Sequence, residues 1–240
     1  VLRTLRTETV RPSELADRCA CARETAQRAV GAFVERGWAE KVSTEEGYRL
    51  TRAGEFVADS YDQFERCMEV SNRFRMLLEN LGGRVDDLDC ETLADTTYAE
   101  STAENPHAPI DRFLSVIGDD PVETFQGATP IVSRVFNRAA GGVIGADTTV
   151  ELVVDEDVLS TSAAEYPDAL ERADELGGFT LYVSEVPVEF GVMLVDDRAY
   201  VGAYDDHGNL VASADGTDDV FVTWAEETFE RARNRADVWS

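Results

Sequence analysis

The side chains best suited to chemistry lie in a short stretch near the amino terminus. We expect four polar residues at the outward positions of a helix there, Arg23, Glu24, Gln27 and Arg28, with Thr25 near the start of the helix. Arginine can bind guanine and glutamine can bind adenine through paired hydrogen bonds, and threonine can contact a phosphate or a thymine methyl group. These residue types on one helix face predict contacts with the edges of DNA bases.

The segments around this stretch have the pattern of two helices and a hairpin. Residues 11–16 predict a short helix, with a proline at an early helical position and an acid in the first turn. Apolar residues then recur at three- and four-residue steps from Arg23 to Arg36, and Gly37 ends that helix. Two β-prone runs, 38–42 and 48–51, flank a glycine-containing turn. This order is typical of a winged helix-turn-helix, whose second helix enters the major groove.

Further groups suited to phosphate contacts flank the second helix. They are two residues of the first helix and three of the hairpin region: Arg11, Ser13, Lys41, Arg49 and Arg52. We expect these five residues and the polar face of the second helix to form the DNA interface together. The hairpin tip, residues 43–47, is acidic and does not favour deep insertion into the minor groove.

Charge is distributed unevenly along the chain. There are 48 acidic and 22 basic residues, a formal net charge of −26, and Lys41 is the only lysine. Residues 1–60 hold 10 basic and 10 acidic side chains, so residues 61–240 carry the whole excess. Binding to a phosphate backbone requires a region without an excess of acidic residues, because the phosphates need nearby cations and few competing carboxylates. The acidic, lysine-poor composition resembles that of proteins from extreme halophiles; an ordinary acidic protein is the alternative.

Cysteine and histidine offer a second kind of chemistry. Cys19 and Cys21 precede the predicted helix 23–36, and their spacing fits half of a metal or redox site. His107 and His207 lie far along the chain and no second cysteine pair follows, which favours small buried thiols instead. A redox- or metal-sensing regulator that uses this cysteine pair stays an alternative, as does an enzyme or protein-interaction module that does not bind DNA. We expect no metal and no cofactor.

The remainder of the chain predicts a second domain. From residue 121 onward strands alternate with helices, which indicates a sheet with parallel elements covered by helices. The expected fold class is α+β or α/β: an N-terminal winged helix-turn-helix followed by an α/β domain with a mixed sheet. The expected domains are a DNA-binding domain over 1–54, a connecting or dimerisation helix over 55–82, a linker and irregular lead-in over 83–109, and an α/β sensor domain over 110–240.

Several runs resemble a known family. Residues 22–25, 34–38 and 48–54 resemble the corresponding helix, strand and helix start of archaeal winged-helix regulators. Leu93–Thr97 and Pro106–Arg112 resemble one haloarchaeal group whose middle domain is named after a methanogenesis regulatory protein. This resemblance implies a DNA-binding transcriptional regulator that binds as a dimer and senses an effector through its C-terminal domain.

A second resemblance concerns possible catalysis. Phe190–Asp197 and Tyr200–Gly202 resemble the strand pair of phospholipase D-like domains. Active members of that class carry His and Lys two residues apart, with Asp five residues after the Lys. Alignment on Asp196 places Glu189 and Gly191 at the first two positions, and the neighbouring register is no better. Without a nucleophile or a phosphate-binding cation, we expect no enzymatic activity.

A domain without catalytic groups can still bind a ligand. Clefts at the carboxyl ends of strands bind small molecules in such sheets. The candidate effector-binding residues lie at predicted strand ends or at the start of the following helix: Phe125, Thr129, Arg134, Tyr182 and Glu185. We interpret the acidic run 155–157 as a solvated loop, because carboxylate clusters are frequent in this composition.

Dimerisation is expected because one recognition helix contacts only a few base pairs. The helix predicted from Phe56 to Leu81 has more apolar positions than a small winged domain can bury: Val57, Tyr61, Phe64, Met68, Leu77, Leu78 and Leu81. A C-terminal helix with Trp224 and Phe229 is the alternative interface. The expected partners are double-stranded promoter DNA, a second copy of the chain and a small-molecule effector. No apolar run approaches the roughly 20 residues that span a bilayer and no signal peptide is evident, so we expect a cytoplasmic protein.

Overall fold

The computed structural model describes residues 1–43, 46–82, 85, 87–174 and 176–239. The chain divides into two compact units, Val1–Glu69 and Val70–Ser240. The first unit contains α1 (Leu2–Thr7), α2 (Pro12–Arg18), α3 (Arg23–Glu35), β1 (Ala39–Ser43), β2 (Gly47–Leu50) and most of α4 (Arg52–Arg73). The predicted order of helix, turn, helix and hairpin is therefore present. Residues 44 and 45 of the acidic hairpin tip lie outside the described residues.

A small apolar core joins these elements. Its buried side chains come from every helix of the unit and from the hairpin: Leu5, Val10, Leu15, Ala16, Ala26, Val30, Leu50 and Ala58. The hairpin gains a third extended segment, because the N–H of Val10 donates to the carbonyl of Tyr48 at 2.9 Å and the N–H of Tyr48 donates back at 3.0 Å. The six-residue helix α1 was not predicted, since one buried residue, Leu5, is too little to give a periodic pattern.

Gly37 ends α3 as predicted. It adopts φ +70°, and its N–H donates to the carbonyl of Val34 at 3.0 Å. The N–H of Trp38 donates to the carbonyl of Phe33 at 2.8 Å, and the two aromatic rings lie 5.9 Å apart. Paired hydrogen bonds of this kind with an apolar contact form a Schellman motif, which requires a left-handed residue.

The second unit is a mixed sheet between two layers of helices. Its helices are α5 (Arg75–Asn80), α6 (Cys90–Ala94), α7 (Ala108–Ile117), α8 (Arg134–Val143), α9 (Glu156–Glu165), α10 (Pro167–Asp174) and α11 (Asp219–Arg233). Its strands are β3 (Thr97–Glu100), β4 (Thr124–Ala128), β5 (Thr149–Asp155), β6 (Phe179–Ser184), β7 (Gly191–Val195), β8 (Arg198–Tyr204), β9 (Leu210–Gly216) and β10 (Ala236–Val238). They pair in the order β10-β6-β5-β4-β7-β8-β9-β3. Strands β4, β5 and β6 are parallel and the others pair antiparallel, so the predicted mixed sheet is confirmed.

Alternation along the central strands assigns side chains to the two faces. Val192 and Leu194 of β7 pack with α5, α6 and α11 on one face, together with Phe74, Leu77, Leu93, Phe221, Trp224 and Phe229. Met193 and Val195 point to the opposite face, where α7 and α8 supply Phe113, Ile117 and Val143. Helices α9 and α10 pack on that same side through Val158 and Leu170. No helix in the described part of the chain is both long and apolar enough to cross a bilayer.

Three regions differ from the sequence-based prediction. The predicted linker 83–109 instead contains α6, the edge strand β3 paired with β9, and the start of α7. The helix predicted to run without interruption to Leu81 is broken at Phe74, which is fully buried in the second unit. The run 155–157 is not a loop: the carboxylate of Asp155 accepts a hydrogen bond from the N–H of Val158 at 2.9 Å and caps α9.

Two glycines of the first unit allow a matched test of this description. Gly31 lies inside α3 and Gly37 ends it; a methyl group added at either meets no atom within 4 Å. Gly31→Ala should raise the free energy of unfolding by about 0.5–1 kcal/mol, because glycine is the poorer helix former. Gly37→Ala should lower the free energy of unfolding by about 1–2 kcal/mol, because Gly37, unlike Gly31, has a positive φ. Chemical denaturation of both variants checks this, and equal shifts would contradict the assigned helix end.

Candidate functional site

The outward face of α3 is the first candidate site. Ala26 and Val30 are buried, whereas Arg23, Gln27 and Arg28 are exposed. Thr25 is exposed near the start of the helix. Helix α3 thus presents two guanidinium groups and an amide from a rigid element, which suits binding to base edges and phosphates.

These polar groups have no partners among the residues that the structure describes. Among the described residues, Arg23 and Arg28 form no ion pair, and Gln27 and Lys41 form no hydrogen bond through their side chains. A cation without a nearby carboxylate keeps its full charge for an external anion.

The other three candidate cations are already paired. Arg11 pairs with Glu14 at 2.5 Å, Arg49 with Glu40 at 2.7 Å, and Arg52 with Glu55 at 2.7 Å. The guanidinium of Arg11 lowers the pKa of the Glu14 carboxyl through a direct hydrogen bond. Exposed pairs of this kind contribute at most about 1 kcal/mol, so a phosphate could displace them. Ser13 is half-buried in the first turn of α2.

The cysteine pair belongs to the core rather than to a ligand cluster. Cys19 and Cys21 are free, half-buried and packed against the core of the first unit. The thiol of Cys19 lies 3.8 Å from the hydroxyl of Thr4. Within the described ranges, no three His, Cys, Asp or Glu side chains form a group that could hold a metal ion. This arrangement favours the interpretation of small packed thiols.

The second candidate site is a cavity of about 510 Å³ in the C-terminal unit. It lies between one face of the sheet and helices α8, α9 and α10. We had expected a cleft beyond the carboxyl ends of the strands, but the polar groups at those ends are occupied locally. Asp155 also accepts from the N–H of Val188 at 3.2 Å, and the Ser184 hydroxyl donates to the carbonyl of Val186 at 2.8 Å.

The structure brings together only some of the predicted effector-binding residues. Phe125 and Thr129 line the cavity, but Arg134, Tyr182 and Glu185 are not among its lining residues. Arg134 is exposed in the first turn of α8, and Glu185 is exposed after β6. A position at the end of a predicted strand does not show on which face of the sheet the side chain lies. The face depends on the register of the strand, which the sequence alone does not give.

Tyr182 lies on the opposite face, in a polar group centred on Glu151. Its hydroxyl donates to Glu151 at 3.0 Å, and the same carboxylate accepts from Gln126 at 2.6 Å and Arg233 at 3.2 Å. Burial alone would raise the pKa of Glu151, but these hydrogen bonds outweigh it and lower the pKa. The carboxylate therefore stays charged and stabilises the packing of α11 on the sheet at pH values above its lowered pKa.

Sequence reasoning missed a buried ion cluster beside the cavity. Asp215 of β9 is fully buried, and its two carboxylate oxygens accept from Arg112 of α7 at 2.6 Å each. Arg198 of β8 donates to the same carboxylate at 2.8 Å. A single acid in a strand gives no signal among many others, although an acid directly after the mostly apolar run 210–214 was a hint.

Two buried hydroxyls near this cluster, those of Tyr200 and Ser213, lie near each other without a well-formed hydrogen bond. Tyr200 lines the cavity, and neither its hydroxyl nor that of Ser213 makes a geometrically acceptable bond to a described residue. Burial raises the pKa of the Tyr200 phenol far above its usual value. At any ordinary pH, the cavity wall therefore presents a neutral phenol at this point.

Asp196, which the sequence resemblance aligns with the phospholipase D aspartate, has a structural role. It lies in the β7–β8 turn with φ +50°, and its carboxylate accepts from the N–H groups of Glu123 and Thr124 at 3.0 Å each. These bonds fix the start of β4 to the turn. Glu189, which the same resemblance aligns with the catalytic histidine, is exposed.

An apolar face of α4 is unpartnered within the first unit. Four of its side chains are 47–58% exposed: Phe56, Tyr61, Phe64 and Met68. In contrast, Leu77 and Leu81 are buried in the core of the second unit. Trp224 and Phe229 are buried there too, so the alternative dimer interface on the C-terminal helix is wrong.

The two tyrosines on opposite faces provide a matched test. Tyr200→Phe should raise the free energy of unfolding by about 1 kcal/mol, because it removes a buried hydroxyl that has no partner. Tyr182→Phe should lower it by about 1–2 kcal/mol, because it removes a hydrogen bond to a carboxylate. Both are measured by urea denaturation, and a loss of stability in Tyr200→Phe would show that its hydroxyl is bonded.

Comparison with solved structures finds distant likenesses. The archaeal chromatin protein TrmBL2 is 12% identical, with a TM-score of 0.45 over 96% of this chain and 88% of that one. NucT from Helicobacter pylori is 11% identical, with a TM-score of 0.47 over 60% of this chain and 99% of that one. Phosphatidylserine synthase from Haemophilus influenzae is 12% identical, with a TM-score of 0.42 over 60% and 39%. Scores below 0.5 assign no function, and no curated protein matches the chain.

Family models match both parts of the chain. Residues 1–73 match the HVO_A0261 N-terminal domain. Residues 106–235, more than half of the chain, match the middle domain of the methanogenesis regulatory protein FilR1. This match includes α7 and all strands of the sheet except β3 and β10. The chain therefore belongs to the family defined by the FilR1 middle domain.

Proposed function

We propose that the protein is a DNA-binding transcriptional regulator, with a winged helix-turn-helix in its first unit and an effector-sensing domain in its second. The observation that carries the proposal is the outward face of α3. Arg23, Gln27 and Arg28 are exposed there and have no partner among the described residues. Membership of a family named for a regulatory protein supports the same function.

The α3 face provides base contacts and the surrounding cations provide phosphate contacts. Gln27 and Arg28 are one helical turn from the amino end, at the depth that reaches base edges in the major groove. Arg23, Thr25 and Lys41 bind phosphates in this arrangement. Arg11, Ser13, Arg49 and Arg52 contribute further phosphate contacts once DNA replaces their internal carboxylate partners.

The second unit acts as a sensor rather than an enzyme. It is a phospholipase D-like domain in which Glu189 and Gly191 replace the catalytic pair. Asp196 is occupied by two backbone N–H groups. No nucleophile lies at these positions, so the feature of this domain that suits a function is its cavity, which can bind a ligand. The acid-rich surface suits a salt-adapted organism, so binding experiments belong in both moderate and multimolar salt.

The DNA proposal is tested by comparing the DNA affinity of two alanine variants on α3 with that of an alanine variant at an arginine elsewhere. Arg28→Ala and Gln27→Ala should each weaken operator binding by about 1–3 kcal/mol and relax sequence preference at one position. Arg66→Ala is the control, because Arg66 is an exposed α4 arginine that also lacks a partner among the described residues. Operators are first selected from random duplexes, and affinity is then measured at fixed salt. Unchanged binding in both α3 variants would mean that another surface contacts DNA.

The dimer proposal rests on the exposed apolar face of α4. Tyr61, Phe64 and Met68 recur at three- and four-residue steps, and Phe56 is exposed near the start of the same helix. A second copy of this helix would bury the exposed apolar side chains symmetrically. We expect light scattering at micromolar protein to give about twice the chain mass of 26.4 kDa. Phe64→Glu should give the single-chain mass, whereas Leu114→Glu, at an exposed leucine of α7, should not. A monomeric parent protein would overturn the proposal.

A further inference from the structure

The cavity of the C-terminal unit has the size of a small-molecule site. Its volume of about 510 Å³ lies in the range of 300–1,000 Å³ typical of ligand pockets. The floor is one face of the sheet, and the roof is formed by α8, α9 and α10. The whole site belongs to the second unit, so its ligand can be considered independently of DNA.

The cavity is elongated across the sheet. Five adjacent strands, in the order β8, β7, β4, β5 and β6, each contribute a residue to its floor: Tyr200, Met193, Gly127, Leu152 and Leu181. Neighbouring strands are about 4.8 Å apart, so four such steps span about 19 Å. The roof over this floor is mostly apolar, with Phe136, Ile144, Leu159 and Leu170 facing it. A ligand that fills the space must be long and mainly apolar.

The charged lining of the cavity is the decisive feature. Residues 61–240 contain 38 acidic and 12 basic side chains. Nevertheless, no Asp or Glu occurs among the described residues that line the cavity, and one cation, Arg172, does. Arg172 lies in the last turn of α10 and has no carboxylate partner in the described part of the chain. Residues drawn at random from this acidic domain would carry a net negative charge, whereas the described lining carries a net positive charge. The lining therefore favours an anionic ligand over a cationic one.

We propose that the cavity binds a straight-chain acyl carboxylate, with its carboxylate on Arg172 and its chain extended across the sheet toward Tyr200. The single cation at one end of the cavity and the mainly apolar walls along the rest of it match such a molecule. Guanidinium binds carboxylate through paired hydrogen bonds, while the chain gains free energy from burial. The proposal rests on the sensor role proposed above and names the chemical class of its effector.

The proposal predicts how affinity depends on chain length and head group. Saturated carboxylates of increasing length, each below its micelle concentration, are titrated into the full-length protein by calorimetry. Affinity should rise roughly fourfold with each added methylene until the cavity is filled, and then stop rising. Primary alcohols of equal length should bind at least tenfold more weakly. Affinity that rises without limit, or alcohols that bind equally well, would overturn the proposal.

Substitutions then locate the site. Arg172→Gln should remove the advantage of carboxylates over alcohols and leave the dependence on chain length intact. Gly141 and Gly142 are neighbours in α8, and an added methyl group at either meets no atom within 4 Å. Only Gly141 lines the cavity. Gly141→Phe should therefore weaken binding at least tenfold, and Gly142→Phe should not; equal effects of the two would place the ligand elsewhere.

DNA binding of the same preparations separates this proposal from the proposed function. Operator affinity is measured with and without the best carboxylate. If the protein binds its operator but no carboxylate, the proposed ligand class is wrong and the proposed regulator function is unaffected. Protein that binds carboxylates as expected but no DNA would overturn the regulator function and leave the ligand class standing.

Discussion

The eight-stranded sheet has two apolar faces, and both must be covered by helices. Alternate residues of β7 belong to opposite cores, since Val192 and Leu194 pack on one side and Met193 and Val195 on the other. A strand buried on both faces loses its apolar-polar alternation and appears as a continuous apolar run. This constraint explains why segments before the expected sensor domain are part of it. Phe74, Leu77 and Leu93 fill the face that α11 alone leaves open.

Ion pairs divide the arginines of the protein into two groups with different roles. Asp215 is the extreme case of the first group: a buried carboxylate that Arg112 and Arg198 satisfy with three hydrogen bonds. Removing one partner of such a cluster costs far more than removing a surface pair. The second group has no carboxylate partner among the described residues. Because single members such as Arg66 and Arg235 occur at unremarkable surface positions, it is the clustering on the α3 face that indicates a site there.

The sequence was sufficient wherever one local signal determined the structure. The apolar repeat of α3 and the glycine after it predicted the helix, its buried face and its end. The same reasoning missed β3, because a four-residue edge strand is specified by its pairing with β9 and not by its own composition. It also placed Tyr182 in the effector site, although register puts Tyr182 and Phe125 on opposite faces. A shift of one residue reverses a strand's faces, and no local pattern fixes that.

The walls of the cavity argue for a ligand rather than water as its occupant. Gly141 and Arg172 are exposed at its rim, so water can enter. Water finds few hydrogen-bond partners on walls formed by Val150, Leu152 and Leu181. A ligand that replaces this water stabilises the folded unit by an amount that rises with the logarithm of the ligand concentration once this exceeds the dissociation constant. In the proposed sensor, the contacts that bind the effector are therefore the same ones that hold the roof helices on the sheet.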